Sequence, residues 1–330
     1  MIADYRQRTE MEEGLRLLPG AQRASESRGR EQPEAEDELR TCFQRDRDRI
    51  VHSKAFRRLG HKTQVFLAPE GDHFRVRLTH TLEVTQVART IARALKLNED
   101  LVEAICLGHD LGHTPFGHLG EEVVASFLPG FRHNLQSVRI VEVLEDLNLT
   151  WEVRDGIANH TWSMPMPATL EGQIARYADR IAYISHDIDD GVRAGVLNED
   201  QLPPVSLKVL GTSHRDRIRT MVSDIVAASD GRDSIAMTDD VFEAMAVTRQ
   251  FLFENVYTSR VPPSTREAVT LILRTLLEHY GEHSPPEWQD RTSEDDPRVR
   301  AVDYVAGMTD RFALRAFEEV VGSPSPNIGV

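Results

Sequence analysis

Residues 109–121 read HDLGHTPFGHLGE, a run that joins a His-Asp pair to two further histidines, a Gly-Pro-Gly break and a glutamate. His80 precedes the His109-Asp110 pair and Asp179 follows it. Two imidazoles and two carboxylates form a mixed nitrogen and oxygen ligand set that suits a divalent cation. Ten of the thirteen histidines lie between positions 52 and 186. The chemistry is therefore predicted in the first two thirds of the chain.

Helices are predicted on both sides of this run. Leu101, Ile105 and His109 recur at four-residue steps, so His109 ends an apolar stripe that a helix would bury. His80 shares a predicted buried face with Val84. A single histidine on such a face is more often a hydrogen-bonded core residue than a metal ligand, and the pattern leaves both interpretations open. Helical spacing continues almost throughout the chain, which predicts an all-α fold.

A further helix is predicted from Glu171 to Ala194. Asp179, Tyr183 and Asp187 follow one another at four-residue steps along one face. A solvated polar face is one interpretation, and a face turned toward a cavity is the other. The apolar stripe on nearly the opposite face consists of Ile174, Tyr177, Ile181, Ile184 and Ile188.

The glycines and the proline of the opening run are predicted to interrupt the helix that carries the His-Asp pair. His113 and His118 would then lie on a loop over the metal. Glu121 follows His118 by three residues and can fix the tautomer of an imidazole and raise its basicity. A structural role for each of these side chains is the alternative.

Composition limits the classes of function. The chain has 330 residues, 40% hydrophobic residues and a formal net charge of -14. The acidity and the 6% aromatic content argue against a protein that mainly coats nucleic acid, and leave nucleic-acid binding as a secondary property. No apolar run is long enough to cross a bilayer or to act as a signal peptide, so a soluble, cytoplasmic protein is expected.

One segment reverses the overall charge. Between Arg40 and Arg77 ten Lys or Arg residues stand against four acids, which gives +6. This segment predicts either an anion-binding site or solvated helix faces, because the sequence RDRDR alternates in sign.

Longer runs of sequence identify a family. Together they resemble the deoxyguanosine triphosphate triphosphohydrolase-like family of bacterial dNTPases, within the HD superfamily of phosphohydrolases. The resemblance extends from about Arg40 to about Ala316. The runs are CFQRDRDRIVHSKAFRRLGHKTQVF (42–66), RLTHTLEV (77–84), HDLGHTPFGHLGE (109–121), HNLQSVRIVE (133–142), TLEGQIARYADRIAYISHDIDD (169–190) and AGMTDR (306–311).

The resemblance implies an HD-domain helical fold with additional C-terminal helices, and hydrolysis of a deoxynucleoside triphosphate to the deoxynucleoside and intact triphosphate. It implies one divalent metal ion, Mn²⁺, Mg²⁺ or similar, and a catalytic pair, His118 and Glu121. The metal ligands carried over are His80, His109, Asp110 and Asp179. The substrate-binding residues carried over or expected beside them are Arg58, Lys62, Arg77, His113, His133, Tyr183 and Asp187.

The resemblance also implies a homo-oligomer, such as a hexamer built from dimers, that dNTPs activate. The expected organisation is a largely flexible N-terminal segment (1–39), an HD-domain catalytic core (40–197), a C-terminal helical region packed on the core (198–322) and a flexible tail (323–330). Two other functions are retained as alternatives. One is an HD-type nucleotide phosphatase or phosphodiesterase, and the other is a catalytically silent nucleotide-sensing module.

Overall fold

The computed structural model describes residues 5–64, 75–257, 262–283 and 296–328. In these residues the regular structure is helical, with no strand and only two isolated β-bridges, which confirms the all-α prediction. The fifteen α-helices are α1 (Tyr5–Arg16), α2 (Cys42–His52), α3 (Lys54–Arg58), α4 (Arg77–Ala94), α5 (Glu99–Gly108), α6 (Gly117–Phe127), α7 (His133–Arg139), α8 (Trp151–Asn159), α9 (Leu170–Arg193), α10 (Pro204–Val209), α11 (His214–Ser229), α12 (Asp239–Leu252), α13 (Pro263–Glu282), α14 (Pro297–Ala306) and α15 (Asp310–Val321).

Helix α9 follows the sequence pattern closely. Thr169 caps its N-terminus by accepting a hydrogen bond from Gly172 N at 3.1 Å. All five residues of the predicted apolar stripe are buried. On the other face Asp179 and Tyr183 are half-buried and Asp187 is fully buried. The polar face of α9 is therefore not an open, solvated one.

The chain divides into two compact units, each made of three separate stretches of sequence. The first unit comprises the described parts of Met1–Ile50, His80–Gly108 and Asn148–Arg260. In it α9 packs against α5, α8, α11 and α12. Gly156 permits the close approach of α8 to α5, because a Cβ there would lie 2.5 Å from Ile105 Cδ1.

The second unit comprises the described parts of Val51–Thr79, His109–Leu147 and Val261–Val330. Its helix α13 packs against α6, α14 and α15. Phe116, just before α6, is buried in the core that these helices form. Sequence analysis predicted consecutive regions. The observed units are discontinuous because helices from the end of the chain bury the apolar face of α6.

The N-terminal 39 residues were expected to be largely flexible, and part of this segment is hydrogen-bonded to the first unit. Gln22 N donates to Glu171 at 3.1 Å, and Arg28 N donates to Glu152 at 2.7 Å. Both carboxylates are fully buried. Residues 1–4 of this segment and residues 329–330 of the predicted tail lie outside the described residues.

Candidate active site

The first unit holds two of the predicted metal ligands, His80 and Asp179. His80 belongs to the first turn of α4 and Asp179 to the middle of α9. His80 Nε2 lies 3.2 Å from Asp179 Oδ1. His80 is buried and Asp179 is half-buried. An imidazole nitrogen and a carboxylate oxygen, 99 residues apart in sequence, are thus brought together as the ligand prediction requires.

The second unit holds the other pair. His109 and Asp110 are buried, and His109 Nε2 lies 3.7 Å from Asp110 Oδ1. Sequence analysis placed the pair inside a helix, whereas α5 ends one residue earlier, at Gly108, and the pair occupies the following turn. Ser137 Oγ fixes this turn: it donates to His109 O at 2.8 Å and accepts from Gly112 N at 2.8 Å.

Arg77 is buried beside this turn. Its Nη1 donates to Asp110 Oδ2 at 2.7 Å. Its Nε and Nη2 are also buried, and neither has a hydrogen-bond partner within the described residues. A buried guanidinium with unused donors is costly unless a ligand satisfies them. Arg77 can therefore donate hydrogen bonds to a bound anion while it remains paired with Asp110.

Three histidines and a glutamate form a cluster in the second unit. His113 stacks on His133 with ring centroids 4.8 Å apart, and its edge meets His118 at 5.9 Å. Glu121 Oε1 accepts hydrogen bonds from His133 N and Nδ1, both at 2.9 Å. Glu121 Oε2 lies 3.8 Å from His113 Nε2. Sequence analysis associated Glu121 with His118, and the contact with His133 was missed because no pattern links residues twelve apart across a loop.

His118 lies in the first turn of α6, not on the loop that was predicted. The backbone before this helix is tightly constrained. Phe116 and Gly117 both have positive φ angles, of 63° and 59°. At Gly120, one turn later, a Cβ would overlap the Pro115 carbonyl group. The sequence GHLG therefore starts the helix directly after a left-handed bend, and the bend sets the direction of the His118 side chain.

The pKa values of the histidines in this cluster are shifted in different directions, although the side chains are close together. Burial and the positive charge of Arg77 hold the pKa of His113 well below its usual range. His118 is an exposed residue, but desolvation by neighbouring protein atoms and the positive charge of Arg77 lower its pKa to about 4. Burial disfavours the charged form of His133, but the charge and the hydrogen bond of Glu121 outweigh it and raise the His133 pKa.

Glu121 is the acidic partner in this arrangement. Partial burial alone would raise its pKa, but the charge and the hydrogen bonds of His133 hold it well below the usual range. The cluster thus contains an ionised carboxylate, one histidine that favours the protonated form and two that favour the neutral form. Neighbouring titratable groups whose pKa values are shifted in opposite directions are typical of acid-base sites.

Lys62 and Arg58 lie in the same unit. Lys62 is fully buried, and its Nζ donates to the carbonyl oxygens of His113 and Ala306. Burial and the neighbouring Arg77 lower the Lys62 pKa to about 7. Arg58 is half-buried and donates to Gly307 O at 3.2 Å. Both basic residues are thus held by the backbone of the AGMTDR run.

The remaining basic residues of the +6 segment behave differently. In the first unit Arg40 and Arg49 pair with Asp37, Asp48 and Glu34 at 2.7–2.9 Å. These ion pairs fit the interpretation as solvated helix faces. The interpretation as an anion-binding site stays a prediction for the end of the segment, which contains Lys62 and Arg77.

A histidine that sequence analysis did not select lies beside His80. His186 of α9 is buried, its ring meets that of His80 edge-on at 5.9 Å, and its Nδ1 lies 3.2 Å from Glu83 Oε2. The position of His186 directly before Asp187, on the polar face of α9, could have marked it as a candidate site residue in the sequence.

The donor atoms fit a divalent cation. The two His-Asp pairs have nitrogen to oxygen distances of 3.2 and 3.7 Å. Neighbouring ligands that each lie at roughly 2.1 Å from an octahedral ion are about 3 Å apart. The pairs offer imidazole nitrogen and carboxylate oxygen donors, a mixed set that divalent metal ions accept. A further set of possible ligand atoms, from His113, His118 and Glu121, lies within 4.8 Å of one another.

Comparison with known proteins places the chain in a family. An HD domain model matches residues 77–200, and a phosphohydrolase-associated domain model matches residues 235–319. Deoxyguanosinetriphosphate triphosphohydrolase-like proteins from Caldanaerobacter subterraneus and Desulfatibacillum aliphaticivorans are 53% and 47% identical to it. The alignments cover 97% and 94% of this chain and 96% of each relative.

The solved structure of a phosphohydrolase from Bacteroides thetaiotaomicron superposes with a TM-score of 0.53 at 18% identity. It covers 81% of this chain and 67% of that one, and this likeness concerns the fold alone. No helix among the described residues is long and apolar enough to span a membrane. The identities over nearly the whole chain show that this protein belongs to the deoxyguanosinetriphosphate triphosphohydrolase-like family of HD-type phosphohydrolases.

Proposed function

We propose that this protein hydrolyses deoxynucleoside triphosphates to deoxynucleosides and inorganic triphosphate. One divalent cation, Mn²⁺, Mg²⁺ or similar, would be bound by the side chains of His80, His109, Asp110 and Asp179. Such a cation, when bound, polarises a phosphoryl oxygen and lowers the pKa of a coordinated water. The distances within the two His-Asp pairs and the names of the relatives support this assignment.

The single observation that carries the proposal is the state of Arg77. A buried guanidinium keeps one Nη on Asp110 and has two donors without a partner in the described residues. A polyphosphate supplies several acceptor oxygens with the geometry that a guanidinium prefers. Arg58, in the same unit, would add positive charge beside the same phosphates, and Lys62 would bind them in its protonated form.

The imidazole cluster would carry the proton transfers. His118, whose pKa is lowered to about 4, can accept a proton from the attacking water. Alternatively it can attack phosphorus itself, and water must then cleave the nitrogen–phosphorus bond to release the triphosphate. The bond that breaks joins the α-phosphorus to the 5′ oxygen, and this oxygen leaves as an alkoxide that needs a proton. His133 has a raised pKa and can supply that proton while Glu121 holds its ring. His113 would contact the substrate from its stacked position on His133.

The polar face of α9 would bind the sugar. Tyr183 is half-buried and Asp187 is fully buried, one helical turn apart. A tyrosine ring packed on the ribose leaves little space at C2′, which would favour deoxynucleotides by steric exclusion. Asp187 would accept a hydrogen bond from the 3′ hydroxyl group.

Product analysis tests this function. We would incubate the purified full chain with each of the four dNTPs, singly and in mixtures, with Mn²⁺ or Mg²⁺, and separate the products by ion exchange. Deoxynucleoside and triphosphate in equal amounts are expected. The mixtures would detect activation of one dNTP's hydrolysis by another, and light scattering would detect the proposed homo-oligomer. Release of orthophosphate or pyrophosphate without triphosphate would reject the proposal in favour of an HD-type phosphatase or phosphodiesterase.

The silent nucleotide-sensing module makes a different prediction. His118→Ala should abolish triphosphate release and leave dNTP-dependent thermal stabilisation in place if the protein is an enzyme. A sensor would show the stabilisation in both proteins and triphosphate release in neither.

A further inference from the structure

The AGMTDR run of residues 306–311 has no role in the proposed chemistry, although it was among the runs that identified the family. Its single acidic residue, Asp310, begins α15 and is buried. The Asp310 carboxylate is more than a helix-terminal charge, because both of its oxygens are hydrogen-bonded to segments from elsewhere in the second unit.

The two oxygens have different partners. Asp310 Oδ2 accepts from Thr63 N at 3.0 Å and from Thr63 Oγ1 at 2.7 Å. Asp310 Oδ1 accepts from Phe116 N at 3.0 Å. One carboxylate therefore joins the start of α15 to the segment that contains Lys62 and to the bend before His118.

Phe116 is the residue that needs this support. Its φ of 63° is left-handed, a conformation that a bulky residue rarely adopts. Such residues persist where surrounding interactions outweigh the cost, and they cluster at functional sites. The buried Phe116 side chain and the hydrogen bond from Phe116 N to Asp310 both hold the bend.

The bend determines where His118 lies. Gly117, the next residue, is also left-handed, and His118 follows it directly in the first turn of α6. A change in the Phe116 backbone would rotate this first turn. Carbonyl groups of the same run also hold neighbouring cations, since Ala306 O accepts from Lys62 Nζ and Gly307 O from Arg58 Nη1.

We infer that Asp310 is a positioning residue, which acts through the Phe116 backbone to fix the imidazole of His118. Its effect on turnover depends on the proposed function, in which His118 is catalytic. Its effect on the geometry of His118 does not.

Asp310→Asn breaks the relevant contact selectively. The amide oxygen of the asparagine is expected to face Thr63, because it can accept two hydrogen bonds there. The amide nitrogen must then face the Phe116 N–H, where two donors oppose each other. Thr63→Val is the companion variant, since it removes only the hydroxyl bond and leaves Phe116 N bonded to Asp310.

Carbethoxylation of His118 by diethylpyrocarbonate, followed by mass spectrometry, measures the geometry without turnover. We expect Asp310→Asn to change the rate of His118 modification by about threefold or more and to lower kcat by about 10–100-fold with KM nearly unchanged. Thr63→Val should stay within about twofold of the wild type in both measurements. Equal effects of the two variants would overturn the inference, because the loss would not then pass through Phe116.

A matched control separates positioning from general destabilisation. Asp46 in the first unit is likewise buried and accepts from Thr150 N at 2.8 Å and from Thr150 Oγ1 at 2.6 Å. Asp46→Asn should lower the melting temperature without changing the His118 modification rate or kcat. If Asp310→Asn does not fold, hydrogen exchange of the wild-type chain decides: the Phe116 amide should be protected, and rapid exchange would reject the inference.

The outcomes distinguish this inference from the proposed function. If the wild-type chain releases no triphosphate and Asp310→Asn changes the His118 modification rate, the positioning role is supported and the hydrolase proposal is rejected. If the wild-type chain releases triphosphate and Asp310→Asn leaves the His118 modification rate unchanged, the hydrolase proposal is supported and the positioning role is rejected.

Discussion

Glu121 and His133 form the closest carboxylate–imidazole contact of the candidate catalytic cluster, with Oε1 of Glu121 at 2.9 Å from Nδ1 of His133. The same oxygen accepts from the His133 backbone N–H at 2.9 Å. The pKa of His133 is thus raised, while those of His113 and His118 are lowered. The carboxylate decides which imidazole carries the proton.

Glu121→Gln tests that relationship. Without the negative charge, burial dominates and the His133 pKa should fall. We expect kcat/KM for dNTP hydrolysis to fall by about 10²–10⁴-fold and the high-pH limb of its pH profile to move to lower pH. Glu122→Gln is the matched control. Glu122 is the next residue, is exposed, and forms a surface ion pair with Arg266 at 2.8 Å. An unchanged pH profile in Glu121→Gln would contradict the role given to His133.

Arg77→Lys tests anion binding. Lysine keeps the charge but cannot replace the Nε and Nη2 donors, so we expect KM for a dNTP to rise by about 10–100-fold, as for loss of a hydrogen bond to a charged group. Arg139→Lys is the control, since Arg139 Nε and Nη2 both already donate to the buried Asp303 at 2.7–3.0 Å. It should lower stability and leave KM unchanged. Equal KM values for Arg77→Lys and the wild type would remove the observation on which the proposed function depends.

Asp179→Asn tests the metal site without an activity assay. A bound ion at 100 times its Kd stabilises the folded state by about 2.7 kcal/mol, so Mn²⁺ should raise the melting temperature of the chelator-treated wild-type chain. The amide variant should lose that increase. Asp189→Asn should retain it, because Asp189, on the same helix, pairs with Arg193 at 3.2 Å. Full Mn²⁺ stabilisation of Asp179→Asn would exclude Asp179 as a ligand.

Glu171→Gln tests the pH dependence of stability. Burial raises the pKa of Glu171 from 4.5 to about 7, so the folded state binds more protons than the unfolded state between these values. Stability should therefore be lost as the pH rises from about 4.5 to about 7, by up to about 3 kcal/mol for this group. The glutamine variant should equal the wild type near pH 4.5 and exceed it near pH 8 in urea unfolding. Glu282→Gln, at an exposed position, is the control, and a constant difference at all pH values would contradict this account.

Sequence patterns predicted the helices well and the contacts between helices poorly. The stripe from Ile174 to Ile188 was readable because helical periodicity directly records which face is buried. The end of α5 at Gly108 was missed, since the apolar spacing continues to His109 although the helix does not. Element boundaries of this kind depend on backbone hydrogen bonds that spacing does not record.

The candidate site shows the same division. His80 and Asp179 were predicted as ligands, and they lie within 3.2 Å of each other. The bond between Arg77 and Asp110 joins residues 33 apart, and neither periodicity nor charge pattern specifies such a pairing. Lys62 was predicted to bind substrate from its charge alone, whereas the fold also uses its ammonium group to hold two carbonyl oxygens.

The hydrogen bonds of residues 22–28 bear on how this protein is prepared in the laboratory. The low apolar content of this region invites removal of the first 39 residues before crystallisation, yet the backbone amides of Gln22 and Arg28 donate hydrogen bonds to Glu171 and Glu152. A shortened recombinant chain would leave two interior acids without those donors, and we expect it to aggregate at neutral pH. The recombinant protein should therefore keep residues 22–28.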